Sequence, residues 1–295
     1  MLSGILPVDK PAGYTSFDVV AVLRRLSGER RIGHTGTLDP MATGVLPLLF
    51  GKCTRLLPFL PAEDKAYLAS FRLGITTNTE DSTGTVLETR PVTSSRADVE
   101  AAMRSMEGSQ LQLPPMYSAV KKDGVRLYKL AREGKEVERK PREIIVYSIR
   151  LVSCREDKGE YTMEVHCSKG TYIRSLCRDI GERLSCGAVM TSLRRTMACG
   201  FSLSQCLTID QLRAMSREEL PGAILSPEQA LLGYPEVTVS TAQATRFCNG
   251  GGLSLERLPL KASSGLYRVY APGRLLLGLG NADPEKGELN IKCHL

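Results

Sequence analysis

No run of apolar residues approaches the roughly 20 needed to span a bilayer, and residues 1–10 lack the long apolar core of a secretory signal. Both absences point to a protein that stays in the cytoplasm. Nine cysteines are spread from Cys53 to Cys293 without a single C-x-x-C pair, which fits neither a zinc ribbon nor, the number being odd, a disulfide framework. They are expected to be reduced and mostly buried, behaving as small apolar residues. Only three histidines occur, His34, His166 and His294, too far apart in sequence to form a metal-ligand pattern, so no metal is expected. Fixed-period repeats and low-complexity tracts are absent as well.

Two near-matches to known motifs fail on inspection. Residues 44–54 end in G-K-C-T, but Leu46 stands where a phosphate-binding loop needs its first glycine and Cys53 where it needs Ser or Thr. Residues 33–36, G-H-T-G, offer one histidine without a partner four residues on.

What is present is a chain of 295 residues with 42% hydrophobic content, ample for a packed interior and longer than one core usually supports. One large domain and one small one are the natural expectation. The net charge of +7 is modest but concentrated: residues 121–150 carry ten Lys/Arg against five Asp/Glu, an excess of +5. Such a segment is either a solvated charged face or a surface for a polyanion, and the concentration favours the second.

The densest signal is residues 31–48, R-I-G-H-T-G-T-L-D-P-M-A-T-G-V-L-P-L, with three glycines, three threonines, two prolines and one acid, Asp39. That composition suits a backbone held in a particular non-helical shape. Pro40 pushes Asp39 out of the helical region, so the carboxylate is presented from a shaped loop.

The remaining elements alternate between strand and helix. Residues 4–9 read as a strand, Thr15 or Ser16 as the cap of a helix carrying Phe17, Val20, Leu23 and Leu26 and closing near Gly28, and residues 45–50 as a buried strand. Residues 65–74 alternate with Tyr67, Ala69, Phe71 and Leu73 on one side. Residues 76–85 form a polar loop and 95–106 a helix, while 144–154 and 160–168 are strands and 128–131 a turn. Thr171 is placed to cap a helix over 172–184, with Arg174 in its first turn, where a cation opposes the helix dipole. That cost hints at a carboxylate or phosphate nearby. After a boundary at Gly233-Tyr234-Pro235 the texture changes to short strands and glycine turns at 237–239, 250–252, 266–270, 275–279 and 289–291, a small β-barrel-like unit.

G-H-T-G-T-L-D-P-M-A-T-G-V-L-P-L at 33–48 resembles the signature of the TruB family of tRNA pseudouridine synthases, and G-I-L-P-V-D-K-P-A-G-Y-T-S at 4–16 resembles its N-terminal motif. The likeness continues in P-P-M-Y-S-A-V-K-K-D-G at 114–124, C-S-K-G-T-Y-I-R-S-L at 167–176 and L-R-R at 193–195. It implies an α+β fold: a mixed-sheet catalytic domain over 1–233, with a basic RNA-gripping insertion at about 113–150, and a PUA-type RNA-binding domain over 236–295. The implied activity is a cofactor-independent isomerisation of uridine to pseudouridine at position 55 in the T loop of tRNA. The implied partner is the tRNA T-arm, bound by a monomer that needs neither membrane nor protein partner.

By the same resemblance Asp39 is the catalytic carboxylate, Arg174 its ion-pair partner, and Tyr67, in K-x-Y, an active-site tyrosine. His34, Tyr67, Tyr172, Leu193, Lys10, Lys121 and Lys122 are implied to contact the RNA. The chemistry agrees with these residue types. Breaking the ribose C1′ to uracil N1 bond and rejoining the base through C5 moves no electrons overall, so no redox cofactor is required. A carboxylate that must stay ionised in a closed site is helped by a guanidinium, which favours the charged form by attraction and hydrogen bonding.

Overall fold

A computed structural model of the chain describes residues 2–60, 64–260 and 264–295. The N-terminal motif forms β1 (Gly4–Lys10), followed by α1 (Ser16–Ser27). Thr15 caps α1 in a reciprocal box: its hydroxyl accepts from the Asp18 N–H at 3.1 Å while the Asp18 carboxylate accepts from the Thr15 N–H at 2.7 Å. Gly28, left-handed at φ 71°, ends the helix where expected. The inward stripe is Ser16, Val19, Val20 and Leu23, so Phe17, one position round from Ser16, turns outward and is 60% exposed. Val20 and Leu23 thus lie on the expected apolar face and Phe17 does not.

β2 (Ile32–His34) and β3 (Thr43–Phe50) flank the Asp39 loop, and β4 (Lys65–Leu73), β5 (Ile75–Thr77) and β6 (Val86–Thr89) follow. Next come α2 (Arg96–Arg104), capped by Ser95, and β7 (Gly108–Gln112). The basic segment contains a small hairpin, β8 (Lys121–Lys122) and β9 (Val125–Arg126), and a short helix α3 (Leu127–Arg132) where a turn was expected. β10 (Arg142–Arg155), β11 (Glu160–Cys167), α4 (Ile173–Arg183) and β12 (Ala188–Ala198) complete this region.

The C-terminal third comprises β13 (Phe201–Ser202), β14 (Leu207–Thr208), α5 (Ile209–Ala214) and α6 (Leu220–Ala223). It then runs through β15 (Glu236–Thr238), α7 (Thr241–Cys248), β16 (Leu253–Ser254), β17 (Gly265–Ala271), β18 (Leu275–Asp283) and β19 (Glu288–His294).

The chain divides into two compact units. One holds Pro40–Val45 and Glu63–Ala198. Its sheet runs β3-β12-β4-β11-β10-β7, with β3 parallel to β12 and every other pair antiparallel. β4 buries Tyr67, Ala69, Phe71 and Leu73 and exposes Leu68 and Arg72, the alternation read from its sequence. Tyr161, Met163, Val165 and Cys167 of β11 are buried beside them, and Phe71 stacks on Tyr161 with ring centroids 5.6 Å apart. α4 packs on β12 and β4, and α2 packs on β10 and α4. Burying each large apolar side chain on this face contributes about 1.5–3 kcal/mol, which is what anchors α4 and the residues at its start.

The other unit holds Met1–Asp39, Leu46–Ala62 and Cys199–Leu295. In it β1 lies between β14, to which it is parallel, and β3. The sheet of residues 236–295 has the order β15-β17-β18-β19-β16 and its own core, built on Val237, Phe247, Val269 and Leu289. All four strands expected between 237 and 291 fall in β15, β17, β18 and β19; α7, capped by Ser240, lies in a stretch read only as strand and turn. Leu279 and Cys293 of this sheet also pack with Cys53, Leu56 and Leu231. That shared cluster places residues on both sides of Gly233-Tyr234-Pro235 in one compact unit.

Among the described residues no helix is long and apolar enough to cross a membrane. All nine cysteines are free thiols; six are buried and Cys248 is exposed. Burial pushes the Cys167 thiol up to about 11 and raises that of Cys177 too.

One glycine in the motif stretch is required by its neighbours. Gly44 has φ 103°, and a Cβ there would lie 2.1 Å from the Arg195 carbonyl oxygen of the paired strand. Gly170 has a similar φ, 82°, with open space around it. Gly44→Ala is expected to cost roughly 2 kcal/mol or more and Gly170→Ala only about 1 kcal/mol, read from denaturant midpoints. Equal midpoints would mean that the close approach of β3 and β12 carries no weight.

Candidate active site

Asp39 lies in the irregular stretch between β2 and β3, directly before a turn at Pro40 and Met41. The preceding residue, Leu38, is 3% exposed and held at both backbone groups by one hydroxyl. Ser16 Oγ accepts from the Leu38 N–H at 2.9 Å and donates to the Leu38 carbonyl at 3.3 Å. A side chain in the first turn of α1 therefore sets the chain path one residue before the carboxylate. The Thr35 N–H donates to the Pro47 carbonyl at 3.1 Å, tying the start of the same loop to β3.

His34 ends β2 opposite Leu48, and its ring meets that of Phe17 edge-on at 5.5 Å between centroids. The outward turn of Phe17 thus supports a ring in the motif. Lys10 has no such surface place. It is fully buried, and its ammonium donates to the carbonyls of Pro11 at 3.0 Å and Tyr14 at 2.5 Å, closing the turn before α1. This corrects its expected RNA-facing role: a buried cation must find fixed acceptors, and these carbonyls supply them.

The other expected residues belong to the unit that holds Glu63–Ala198. Tyr67 sits on the covered face of β4, 6% exposed, opposite Val165 and Arg195. Leu193 lies two residues along β12, opposite Ala69, and is also buried. Arg195 is 1% exposed, and its Nε donates to the Val45 carbonyl at 2.7 Å. Lys121 and Lys122 stand on the β8–β9 hairpin, Lys121 exposed and Lys122 donating to the Glu138 carbonyl at 3.0 Å. Nearby, the guanidinium groups of Arg126 and Arg132 lie 6.0 and 5.4 Å from the Tyr128 ring.

Arg174 is a second buried cation of this unit. Its guanidinium donates to the carbonyls of Thr79 at 3.0 Å and Tyr117 at 2.7 Å and lies 3.7 Å from the Asp81 carboxylate. Both side chains are almost sealed, 6% and 7% exposed. The second Asp81 oxygen accepts from the Thr79 hydroxyl, the Thr83 N–H and the Thr83 hydroxyl at 2.8, 2.9 and 2.6 Å. The cost of a cation at a helix N-terminus is thereby offset by a carboxylate, as its position implied.

Tyr172 precedes α4, and no side chain caps the helix there. Thr171, expected to cap it, instead donates its hydroxyl to the Ser168 carbonyl at 3.0 Å. The orientation of Tyr172 comes from Gln112, 3% exposed at the end of β7: its amide donates to the Tyr172 carbonyl at 3.0 Å and accepts from the Tyr172 N–H at 2.8 Å.

Sequence reasoning missed Ser16, Asp81 and Gln112. For Asp81 a signal existed, since T-N-T-E-D-S-T-G-T has the same acid-among-threonine-and-glycine texture as the Asp39 stretch. Ser16 read only as a possible cap, and Gln112, one of two glutamines in S-Q-L-Q-L-P-P, carries no pattern. Among the described residues no group of three or more His, Cys, Asp or Glu is placed to hold a metal ion.

Comparison with solved structures gives the class. The chain matches one in the crystal structure of a Cbf5-Nop10-Gar1 complex at TM-score 0.73 and 26% identity, covering 100% of this chain and 84% of that one. It also matches a chain of an H/ACA RNP bound to a substrate RNA containing 2′-deoxyuridine, at TM-score 0.71 and 23% identity, covering 99% and 84%, a likeness of fold. The α+β architecture with its large mixed sheet is that of the pseudouridine synthases.

Residues 24–173 match the profile of the TruB family pseudouridylate synthase N-terminal domain, and 174–232 that of the tRNA pseudouridylate synthase B C-terminal domain. The tRNA pseudouridine synthase B of Clostridium kluyveri is 43% identical over 95% of this chain and 95% of its own length. That of Burkholderia mallei is 45% identical over 95% and 93%, and that of Syntrophotalea carbinolica 48% over 81% and 78%. The chain belongs to the TruB family of pseudouridine synthases and is an enzyme, an isomerase of the tRNA pseudouridine synthase class.

The hydroxyl beneath Asp39 offers a direct check. Ser16→Ala leaves the buried Leu38 N–H without its acceptor, so a loss of about 1–3 kcal/mol is expected in chemical denaturation. Turnover should fall about tenfold or more as the loop loses its anchor. A variant of unchanged stability and rate would remove Ser16 from the account.

Proposed function

We propose that this enzyme converts the T-loop uridine at tRNA position 55 to pseudouridine, with Asp39 as the catalytic carboxylate acting on a flipped-out nucleotide. The observation that carries this reading is the fixed presentation of Asp39 from a loop held by Ser16 through Leu38. The target base leaves its stack at a cost that new contacts must offset. His34, braced by Phe17, fills the vacated stack, and Tyr67 packs on the extruded uracil, a contact worth roughly 1–3 kcal/mol in stacking systems.

In the reacting complex the Arg174 guanidinium favours the ionised form of Asp39. The C1′–N1 bond breaks, the detached uracil turns within the pocket, and C5 bonds to C1′. The proton displaced from C5 passes to N1, and the Tyr67 hydroxyl is the candidate relay. Tyr172 and Leu193 contact the substrate. Lys121, Lys122 and the exposed basic residues around them grip the T-arm phosphates, within a catalytic domain over 1–233. Residues 236–295 serve as a PUA-type RNA-binding domain. The enzyme works in the cytoplasm as a monomer, without a cofactor or a protein partner.

Asp39→Asn is expected to make no pseudouridine on an unmodified tRNA transcript while still binding it in a filter or anisotropy assay. Normal yield from that variant would refute the assignment. Tyr67→Phe keeps the stacking ring and loses the hydroxyl, so wild-type turnover would exclude the relay. If the basic segment neutralises several phosphates, affinity should fall steeply between 50 and 200 mM salt, by roughly tenfold or more. A flat response would count against the segment.

A further inference from the structure

Asp81 is not held by its own loop alone. Glu80, the residue before it, has φ 62°, a left-handed conformation that a side chain other than glycine, asparagine or aspartate rarely adopts. Its carboxylate reaches α4, where it accepts from the buried Ser175 hydroxyl at 2.7 Å and pairs with the Arg178 guanidinium. The backbone is pinned on a third side: the Glu80 carbonyl accepts from the Met190 N–H of β12 at 3.2 Å, and the Met190 carbonyl accepts from Ser82 N–H at 2.9 Å.

Ser175 and Arg178 stand one residue and one turn beyond Arg174 on the same helix. Glu80 and Asp81 are thus adjacent in the loop and engage adjacent stations on α4. An unfavourable backbone angle persists where surrounding contacts over-determine it, and here they set the direction of the next side chain.

We propose that Glu80 is a positioning residue for the isomerisation: its lock onto Ser175 and Arg178 aims the Asp81 carboxylate at Arg174 and so fixes where that guanidinium stands. This rests on the reading of Arg174 as part of the catalytic machinery. Without the lock the loop relaxes from φ 62°, Asp81 turns away, and the Arg174 guanidinium loses the hold of that carboxylate. Folding and RNA binding, which use other surfaces, are largely kept.

The test is a double-mutant cycle on the full-length enzyme with an unmodified tRNA transcript, following single-turnover rate, tRNA affinity and melting temperature. Glu80→Ala is expected to slow the rate about 10- to 100-fold with affinity changed by less than about twofold. In an Asp81→Asn background the same substitution should add less than about twofold, because its effect runs through Asp81. Glu80→Gln, which retains the shape and one hydrogen bond, should lie between wild type and Glu80→Ala, and it carries the test if the alanine variant does not fold.

Rates within twofold of wild type for Glu80→Ala, or for Glu80→Gln where the alanine variant is unfolded, would overturn the positioning role. Losses that multiply across the cycle would do so too, since a merely structural role acts independently of Asp81. Neither result would touch the proposed function. Wild-type turnover by Arg174→Lys would instead overturn the catalytic reading and the positioning role together.

Discussion

A guanidinium held almost entirely out of water must be given fixed partners in every direction, and Arg174 organises much of its unit by that demand. The carbonyls of Thr79 and Tyr117 and the carboxylate of Asp81 come from two separate segments that converge on the start of α4. Leaving one partner out would strand a charge at a cost of about 3–5 kcal/mol, so the loops are as constrained as the cation. α4 itself is anchored by its apolar stripe on β12 and β4.

The same economy recurs around the other motif residues. Leu38 is held through both backbone groups by Ser16, and Tyr172 through both by Gln112. In each case one buried polar side chain on a regular element dictates the path of an irregular segment. Rigid strands and helices thereby place loops to within hydrogen-bond tolerance, which catalysis requires of its reacting groups. The basic hairpin between β7 and β10 is the opposite: its side chains are largely exposed, as suits the phosphate-gripping role proposed for it.

Much of this was legible before any coordinates. The period-two alternation of β4, the helix start at Thr15 or Ser16 and the strand spacing after Gly233 all follow from local rules, and the motif stretch marked a shaped loop around Asp39. The long-range polar contacts were not legible, because Ser16–Leu38, Asp81–Arg174 and Gln112–Tyr172 join residues 22, 93 and 60 positions apart, and no periodicity encodes such meetings. Lys10 and Thr171 were misplaced for a related reason: their residue types fit a surface role and a cap equally well, and tertiary acceptors decided otherwise. β12 went unread as a strand because T-S-L-R-R-T interrupts its apolar pattern, although Arg195 proves to be among the most buried residues of the chain.

The claim on which everything turns is that one carboxylate in a braced loop acts, unaided by any other protein, on a single uridine of the T loop. Mapping pseudouridine base by base along an unmodified tRNA transcript after incubation with the purified chain alone tests it most directly. One new pseudouridine at position 55, and none elsewhere, is the expected map. Modification scattered over other uridines, or an unchanged transcript until a second protein or a guide RNA is supplied, would contradict the account.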